Sequence, residues 1–181
     1  MTSPLDQGPT GSLPAGPRLV VGALIRDARD RVFIQRRSEN RTLFPGCWDV
    51  VGGSVHPGEN VLGALDREIE EETGWRLGRV LALLGRSTWN GNGEVHCELD
   101  FLVEVAGDLD APRLEQDKHT EFSWIGPSEI GLLEENVART GSAFIGEIVA
   151  RAHEWLDRVP ASRRRDITVT DPDGTRVLPD H

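Results

Sequence analysis

Several residue types and patterns are scarce or missing in this chain of 181 residues. It has no tyrosine, and its two cysteines, Cys47 and Cys97, do not have the spacing of a metal site. Such sparse cysteine usage is typical of a reduced, cytoplasmic setting, where we expect both to serve as small apolar residues. No apolar run approaches a membrane span, and the N-terminus lacks the pattern of a signal peptide, so neither is predicted.

Positive charge is also in short supply. Lysine and arginine number 20 against 30 aspartate and glutamate residues, which gives a formal net charge of −10. This excess disfavours broad electrostatic attraction to nucleic acid or to an anionic membrane, and we predict neither as a partner. An anionic substrate would need local basic residues or a metal ion to offset that field.

The composition is that of one soluble globular domain with tails, because hydrophobic residues make up 38% and charged residues 28% of the chain. Residues 1–17 are rich in Gly, Pro, Ser and Thr and predict a flexible N-terminal arm. Residues 18–158 carry strand pairs before and after one central helix and end in a second long helix, which indicates an α/β domain. Residues 159–181 form a tail in which an Asp-Gly turn predicts a possible β-hairpin. The three arginines at its start, 163–165, are interpreted as a solvated junction.

Two β-prone runs come first, Arg18–Ile25 and Arg31–Arg37, and the turn between them predicts a hairpin. Alternation along the second run sends Arg36 and Arg37 to opposite faces, so one of them can point into a phosphate pocket. The alternative is that both are surface charges. A later Asn-Gly turn between residues 77–88 and 94–105 predicts a long antiparallel pair.

The central helix is marked by its acids. At about 100° per residue, Glu68, Glu71 and Glu72 fall within an arc of roughly 100°. Arg67 lies one turn before Glu71 and is its neighbour on the helix surface, and Gly74 is a natural left-handed stop. Three crowded carboxylates repel one another unless a cation lies among them, and Mg²⁺ or Mn²⁺ is the usual cation for oxygen ligands. The alternative is a solvated acidic face.

These acids belong to a longer pattern that runs from Gly53 to Trp75. It consists of a glycine, five residues, a glutamate, seven residues, Arg-Glu, an apolar residue, one residue, Glu-Glu, one residue, a glycine and a bulky apolar residue. The matching positions are Gly53, Glu59, Arg67, Glu68, Ile69, Glu71, Glu72 and Gly74. This string resembles the signature of the Nudix hydrolases, with Trp75 at a position where an aliphatic residue is more usual.

The resemblance implies an α/β/α fold, in which a mixed β-sheet lies between helices. It also implies hydrolysis of a diphosphate linkage in a nucleoside diphosphate that is attached to another group, with Mg²⁺ or Mn²⁺ as the cofactor. The Gly53 carbonyl and the carboxylates of Glu68, Glu71 and Glu72 are implied as metal ligands. Some members of the family pair as homodimers, and the sequence leaves that open.

Further roles follow from the same resemblance. Glu68 is favoured as the base that takes a proton from water, and Glu121, ahead of Glu115, is a candidate for an additional ligand or base. Arg67 is expected to orient Glu71 or Glu59 rather than to touch the substrate. Glu59, expected to open the helix, and Gly74 are then structural.

The substrate is approached by elimination. The chain lacks the downstream proline of ADP-ribose enzymes, the tyrosine of dinucleoside polyphosphate enzymes and the upstream motif of the coenzyme A type. Nucleoside triphosphates, oxidised ones included, remain, with Arg36, Arg37 and Trp48 as candidate substrate-binding residues. One alternative is an enzyme similar to isopentenyl diphosphate isomerase, or a hydrolase of a non-nucleotide diphosphate. Another is a non-catalytic nucleotide-binding domain that regulates a partner.

Overall fold

A computed structural model of the chain describes residues 16–179. Nearly all of the predicted N-terminal arm lies outside this range. The strands are β1 (Arg18–Ile25), β2 (Val32–Arg37), β3 (Trp48–Asp49), β4 (Val51–Ser54), β5 (Arg76–Gly91), β6 (Glu94–Ala106), β7 (His119–Ile125), β8 (Val169–Thr170) and β9 (Arg176–Val177). The helices are α1 (Val61–Thr73), α2 (Glu134–Thr140) and α3 (Phe144–Arg158), with 3₁₀ turns at Pro127–Leu133 and Ala161–Arg163.

The strands form two larger sheets and one small hairpin. The first sheet has the order β4-β1-β6-β5 and is mixed, because β1 runs parallel to β6 while the other pairs are antiparallel. The second has the order β3-β2-β7 and is antiparallel. Strands β8 and β9 pair with each other. The predicted α/β class is confirmed.

The first two strands do not form the hairpin that the sequence predicted. The turn at residues 27–30 is present, but after a single bridge between Arg26 and Val32 the strands enter different sheets. Strand β1 pairs instead with β6, a partner far along the chain. Turn-forming residues between two apolar runs therefore predict the turn itself. They do not predict which strands pair, because that depends on packing in the whole domain.

The core lies on both sides of the sheets. Alternate residues of β1, Val21, Ala23 and Ile25, are fully buried in one apolar cluster with Leu65 and Ile69 of α1. Leu24 points the other way, into a second cluster with residues of α3, including Ile148, Val149 and Ala152. Helices α1 and α3 therefore cover opposite faces, as expected of an α/β/α arrangement. Within residues 16–179, no helix is both long enough and apolar enough to span a membrane.

The C-terminal tail is packed on the domain, and one of its three arginines is buried, although the sequence predicted that all three would be solvated. Arg164 is only 4% exposed. Its guanidinium donates two hydrogen bonds to Asp30, at 2.7 and 3.0 Å, and others to the carbonyls of Leu156 and Val159. Ile167 donates its backbone N–H to the Val80 carbonyl, at 2.9 Å. The tail thus closes over the turn between β1 and β2.

Candidate active site

Two glycines bring β4 against its neighbours. A Cβ atom added at Gly52 would lie 2.3 Å from the Val21 carbonyl oxygen on β1. A Cβ atom at Gly53 would lie 2.2 Å from Oε1 of Glu68. Only glycine permits these approaches. As a result, the Glu68 carboxylate rests directly against the backbone of β4, the strand that precedes the acidic helix.

Helix α1 starts and stops as its local sequence dictates. Asn60 is the N-cap and accepts a hydrogen bond from the Gly63 N–H at 2.6 Å. Gly74 ends the helix with φ = 75°, and its N–H donates to the Glu70 carbonyl. Glu59 lies one residue before the cap and does not open the helix as expected. Its carboxylate turns back toward the side chain of Arg67.

Arg67 joins the acids of the site. Its Nε and Nη2 donate to the two oxygens of Glu59, at 2.9 and 3.0 Å, and Nη2 also donates to the Ser54 carbonyl. Its Nη1 donates to Glu68 at 2.6 Å and lies 3.6 Å from Glu71. Hydrogen bonding from Arg67 lowers the pKa of Glu59 to about 2. Glu59 is therefore a permanent anion that anchors the arginine, and the arginine in turn holds Glu68.

Glu72 is the most deeply placed acid of α1. It is 6% exposed, and its Oε2 accepts hydrogen bonds from Gln35 at 2.6 Å and from the Gly52 N–H at 3.2 Å. Burial, followed by the negative charges of Asp49 and Glu68, raises the pKa of Glu72 to about 8. The carboxylate form of Glu72 therefore needs additional positive charge nearby.

His119 lies behind Glu72 and was not singled out by the sequence analysis. It is 3% exposed, and its Nε2 lies 3.9 Å from Oε1 of Glu72. Burial, followed by the charges of Arg37 and Arg41, lowers the pKa of His119 to about 4. The imidazole is therefore neutral at neutral pH and does not supply the charge that Glu72 lacks.

The acids of α1 offer oxygen ligands, which are the type that a hard divalent cation prefers. Glu68 and Glu72 are both less than one-tenth exposed and Glu71 lies at the rim, and all three line one cleft of about 1000 Å³ with Gly53. Within residues 16–179, no three His, Cys, Asp or Glu side chains converge closely enough to hold a metal ion by themselves. The guanidinium of Arg67 is hydrogen-bonded to Glu68, so it supplies the positive charge next to this carboxylate. A cation would therefore compete with Arg67 and would draw on backbone or water oxygens.

A second cavity, of about 390 Å³, adjoins the acidic cleft. Both are lined by Arg18, Arg37, Arg41, Gly52, Gly53, Ser54 and Glu94. Arg37 is paired with Asp49 at 2.8 Å, whereas Arg41 has no ion-pair partner within the described range 16–179. The basic residues at the junction thus lie where an anionic ligand would cross from one cavity to the other.

The two candidate arginines of β2 point in opposite directions, as alternation requires. Arg37 faces the cavities. Arg36 is bonded to Glu121, Glu135 and the Gly46 carbonyl, and its guanidinium lies 4.3 Å from the ring centroid of Trp48. Neither Arg36 nor Glu121 is among the residues that line either cavity, so the structure does not bring them to the acids.

Trp48 and Trp89 both border the smaller cavity but differ in their contacts. Trp48 is 4% exposed and carries Arg36 on one ring face. Trp89 stacks on His96, with centroids 4.0 Å apart, and donates from Nε1 to Oε2 of Glu98 at 2.7 Å. Of the two, Trp89 is therefore the one that is hydrogen-bonded to a carboxylate lining the cavity, that of Glu98.

Comparison with known proteins gives one consistent result. The family model of the NUDIX domain matches residues 16–145. The nucleoside triphosphatase NudI of Salmonella paratyphi B is 30% identical over 114 residues, which are 57% of this chain and 78% of that protein.

Solved structures agree with that match. The crystal structure of a MutT protein from Methanosarcina mazei Go1 aligns with a TM-score of 0.61 and 26% identity, covering 80% of this chain and 98% of that one. A MutT NUDIX hydrolase from Burkholderia pseudomallei aligns with a TM-score of 0.54 and 34% identity, covering 61% and 84%.

Proposed function

This chain belongs to the NUDIX hydrolase family, and on that premise we propose that it is a divalent-metal-dependent hydrolase of nucleoside triphosphates, oxidised ones included. The observation that carries the proposal is the junction of the two cavities. Buried carboxylates line one cavity, an aromatic wall lines the other, and arginines lie between them. A relative named as a nucleoside triphosphatase supports the same substrate class.

The metal site is proposed at Glu68, Glu71, Glu72 and the Gly53 carbonyl. All are oxygen donors, which suits Mg²⁺ or Mn²⁺. When bound, such a cation offsets the charge of the diphosphate and lowers the pKa of a bound water molecule. The raised pKa of Glu72 supports the assignment, because an adjacent cation would favour the ionised carboxylate.

The protein's own groups would then position and deprotonate water. Glu68 is held by Arg67 on one side and by the Gly53 backbone on the other, so its orientation is restricted. We assign Glu68 the role of base. Arg67 is a positioning residue, since Glu59 saturates two of its donors. Arg37 and Arg41 face the junction and would bind phosphate oxygens.

The isomerase alternative is not supported by the position of its required thiol. Cys47 lines the smaller cavity but is not among the residues that line the acidic cleft. Burial raises the pKa of Cys47, which keeps it as a thiol. A hydrolase is therefore preferred over an enzyme that uses this cysteine for proton transfer.

The test is a panel of nucleoside triphosphates and diphosphate derivatives incubated with Mg²⁺ or Mn²⁺, with phosphate, pyrophosphate and monophosphate measured. We expect turnover of a triphosphate that requires metal. Glu72→Gln should fold normally and reduce kcat by about 100-fold or more, because a buried ligand is lost. Glu134→Gln, on the surface of α2, is the matched control. No turnover of any compound, or full activity of Glu72→Gln, would overturn the proposal.

A further inference from the structure

Gln35 is a polar residue in the interior of the second sheet. It is fully buried, and on β2 it lies between Asp49 of β3 and Phe122 of β7. The two residues before it, Phe33 and Ile34, are fully buried apolar side chains. Glutamine is rarely found in such a position unless a partner satisfies its amide, so the contacts of this amide are informative.

The side-chain amide of Gln35 reaches across to the acidic helix. Its Nε2 donates to Oε2 of Glu72 at 2.6 Å, and the two residues are 37 positions apart in the chain. The N–H of Gly52, on β4 of the first sheet, donates to the same oxygen at 3.2 Å. Oε2 of Glu72 is therefore held by donors from both sheets.

The other oxygen of Glu72 is left without a donor. Within residues 16–179, the hydrogen bonds to this carboxylate all go to Oε2. Nε2 of His119 lies 3.9 Å from Oε1, which is beyond hydrogen-bonding distance. Glu72 lines the acidic cleft together with Glu68 and Glu71. The protein thus fixes one oxygen of Glu72 and leaves the other for a cation.

This contact leaves one atom of Gln35 unsatisfied. Its Oε1 is buried and has no hydrogen-bond partner among the described residues. An unpaired buried acceptor costs stability, and an apolar side chain of similar length would avoid that cost. Reversing the amide would not help, because its carbonyl oxygen would then face the Glu72 carboxylate. A residue that is unfavourable for the core but bonded to a site carboxylate is better explained by the site.

Gln35 itself does not reach a ligand. It is not among the residues that line either cavity. Its influence on the site must therefore pass through Glu72. Groups that orient a metal-binding side chain from behind typically change metal affinity or activity by about 10- to 100-fold when they are removed.

We propose that Gln35 is a positioning residue of the metal site, which holds Oε2 of Glu72 so that Oε1 is presented to the cation. The inference rests on the proposed function for the location of that cation. It adds a residue of the second sheet to a site whose proposed ligands all come from β4 and α1. Strand β2 then serves the site twice, because Arg37, two residues further on, faces the junction of the cavities.

Gln35→Met tests the role by removing the donor while keeping the length of the side chain. We expect the dissociation constant for Mn²⁺, measured by calorimetry on the protein without nucleotide, to rise about 10- to 100-fold. The melting temperature without metal should stay close to that of the wild type, because the lost hydrogen bond is offset by the loss of an unpaired acceptor. Unchanged Mn²⁺ affinity would overturn the proposal.

Ile34→Val is the matched control on the same strand. Ile34 is fully buried in the apolar cluster that contains residues of α3, and it does not contact the acidic cleft. Its truncation should lower the melting temperature and leave Mn²⁺ affinity unchanged. If Gln35→Met showed this same pattern, Gln35 would have only a structural role and the proposal would be wrong.

Kinetics distinguish a positioning residue from a ligand. Gln35→Met should need about 10-fold or more Mn²⁺ for half-maximal activity, and saturating Mn²⁺ should restore kcat to near the wild-type value. Glu72→Gln should remain impaired at every Mn²⁺ concentration, because it lacks the ligand itself. A Gln35→Met enzyme that saturating Mn²⁺ does not restore would contradict the positioning role.

Binding and turnover together separate this inference from the proposed function. Weaker Mn²⁺ binding by Gln35→Met, in a protein that hydrolyses no nucleotide, would support the positioning role and refute the function. Turnover of triphosphates, together with equal Mn²⁺ affinity of Gln35→Met and the wild type, would support the function and refute the positioning role.

Discussion

The carboxyl groups of this protein lie in environments of opposite character. Glu59, just before α1, is held by Arg67, and its pKa is about 2. Glu72, near the C-terminal end of the same helix, is buried and has a pKa of about 8. Glutamate is therefore a fixed anion at position 59, whereas at position 72 its ionised form needs a nearby positive charge. This division separates an anchoring role from a ligand role within a single motif.

The buried pair Glu98 and Asp100 should leave a signature in the pH dependence of stability. Their pKa values are raised from 4.5 and 3.8 to about 8 and about 7. The folded state therefore keeps protons that the unfolded chain has lost, so the free energy of unfolding falls as the pH rises from about 4 to about 8. Urea unfolding across this range measures the fall.

Asp100→Asn should flatten that dependence and be more stable than the wild type at pH 8, by about 1 kcal/mol or more. Glu104→Gln should follow the wild-type curve over the same interval. An Asp100→Asn curve parallel to that of the wild type would show that the buried carboxyl does not titrate in this window.

Individual site residues differed in how readily the sequence revealed them. Glu68, Glu71 and Glu72 stand out because their spacing matches a helical face and a family signature. Glu98 and Asp100 do not, because polar alternation along a strand is equally typical of a solvated face. Trp89 of β5 donates a hydrogen bond to Glu98, and Asp100 is fully buried, and both facts depend on the pairing and packing of β6 rather than on its local sequence.

Among the secondary-structure elements, strand β4 and helix α1 together contribute all the residues of the proposed metal site. The strand contributes backbone, the helix contributes carboxylates, and the glycine at 53 sets their distance. The cap at Asn60 and the stop at Gly74 fix the ends of the helix. These features are local in sequence, which explains why the helix could be predicted while the pairing of β1 with β6 could not.

Gly53→Ala tests this joint directly. The added methyl group would lie 2.2 Å from Glu68 Oε1, and a flexible carboxylate can move away without unfolding the protein. We expect little change in the melting temperature but a loss of about 100-fold in kcat, because a displaced base or ligand lies outside productive geometry.

Gly146→Ala in α3 provides the comparison for that substitution. A Cβ atom there has its nearest neighbour at 3.8 Å, which is ordinary contact, so activity should be unchanged. If Gly53→Ala were as active as Gly146→Ala, the close approach of strand and helix would not matter for the reaction.

At the scale of the whole molecule, charge is distributed unevenly. The chain is acidic, with a formal net charge of −10, yet Arg18, Arg37 and Arg41 lie together where the two cavities meet. A local basic site within a negative field lets a small anionic ligand bind while long polyanions are repelled. The sequence predicted that local basic residues would be needed but identified only Arg37 among these three.

We expect the tail to contribute to the stability of the whole domain through Arg164. Arg164→Met removes a buried guanidinium that bonds Asp30 and two backbone carbonyls. We expect a loss of about 2–4 kcal/mol in the free energy of unfolding, because these acceptors lose their donor. Arg163→Met, at an exposed neighbouring position, should lose less than about 0.5 kcal/mol. Similar urea midpoints for the two variants would contradict this role of the tail.

The contact between Arg164 and Asp30 also bears on the order in which the protein matures. The two residues are 134 positions apart, and synthesis proceeds from the N-terminus. The turn between β1 and β2 therefore leaves the ribosome well before the arginine that binds it. Until Arg164 emerges, the turn between the two sheets lacks this restraint, so a nascent chain arrested before residue 164 would leave Asp30 without its guanidinium partner.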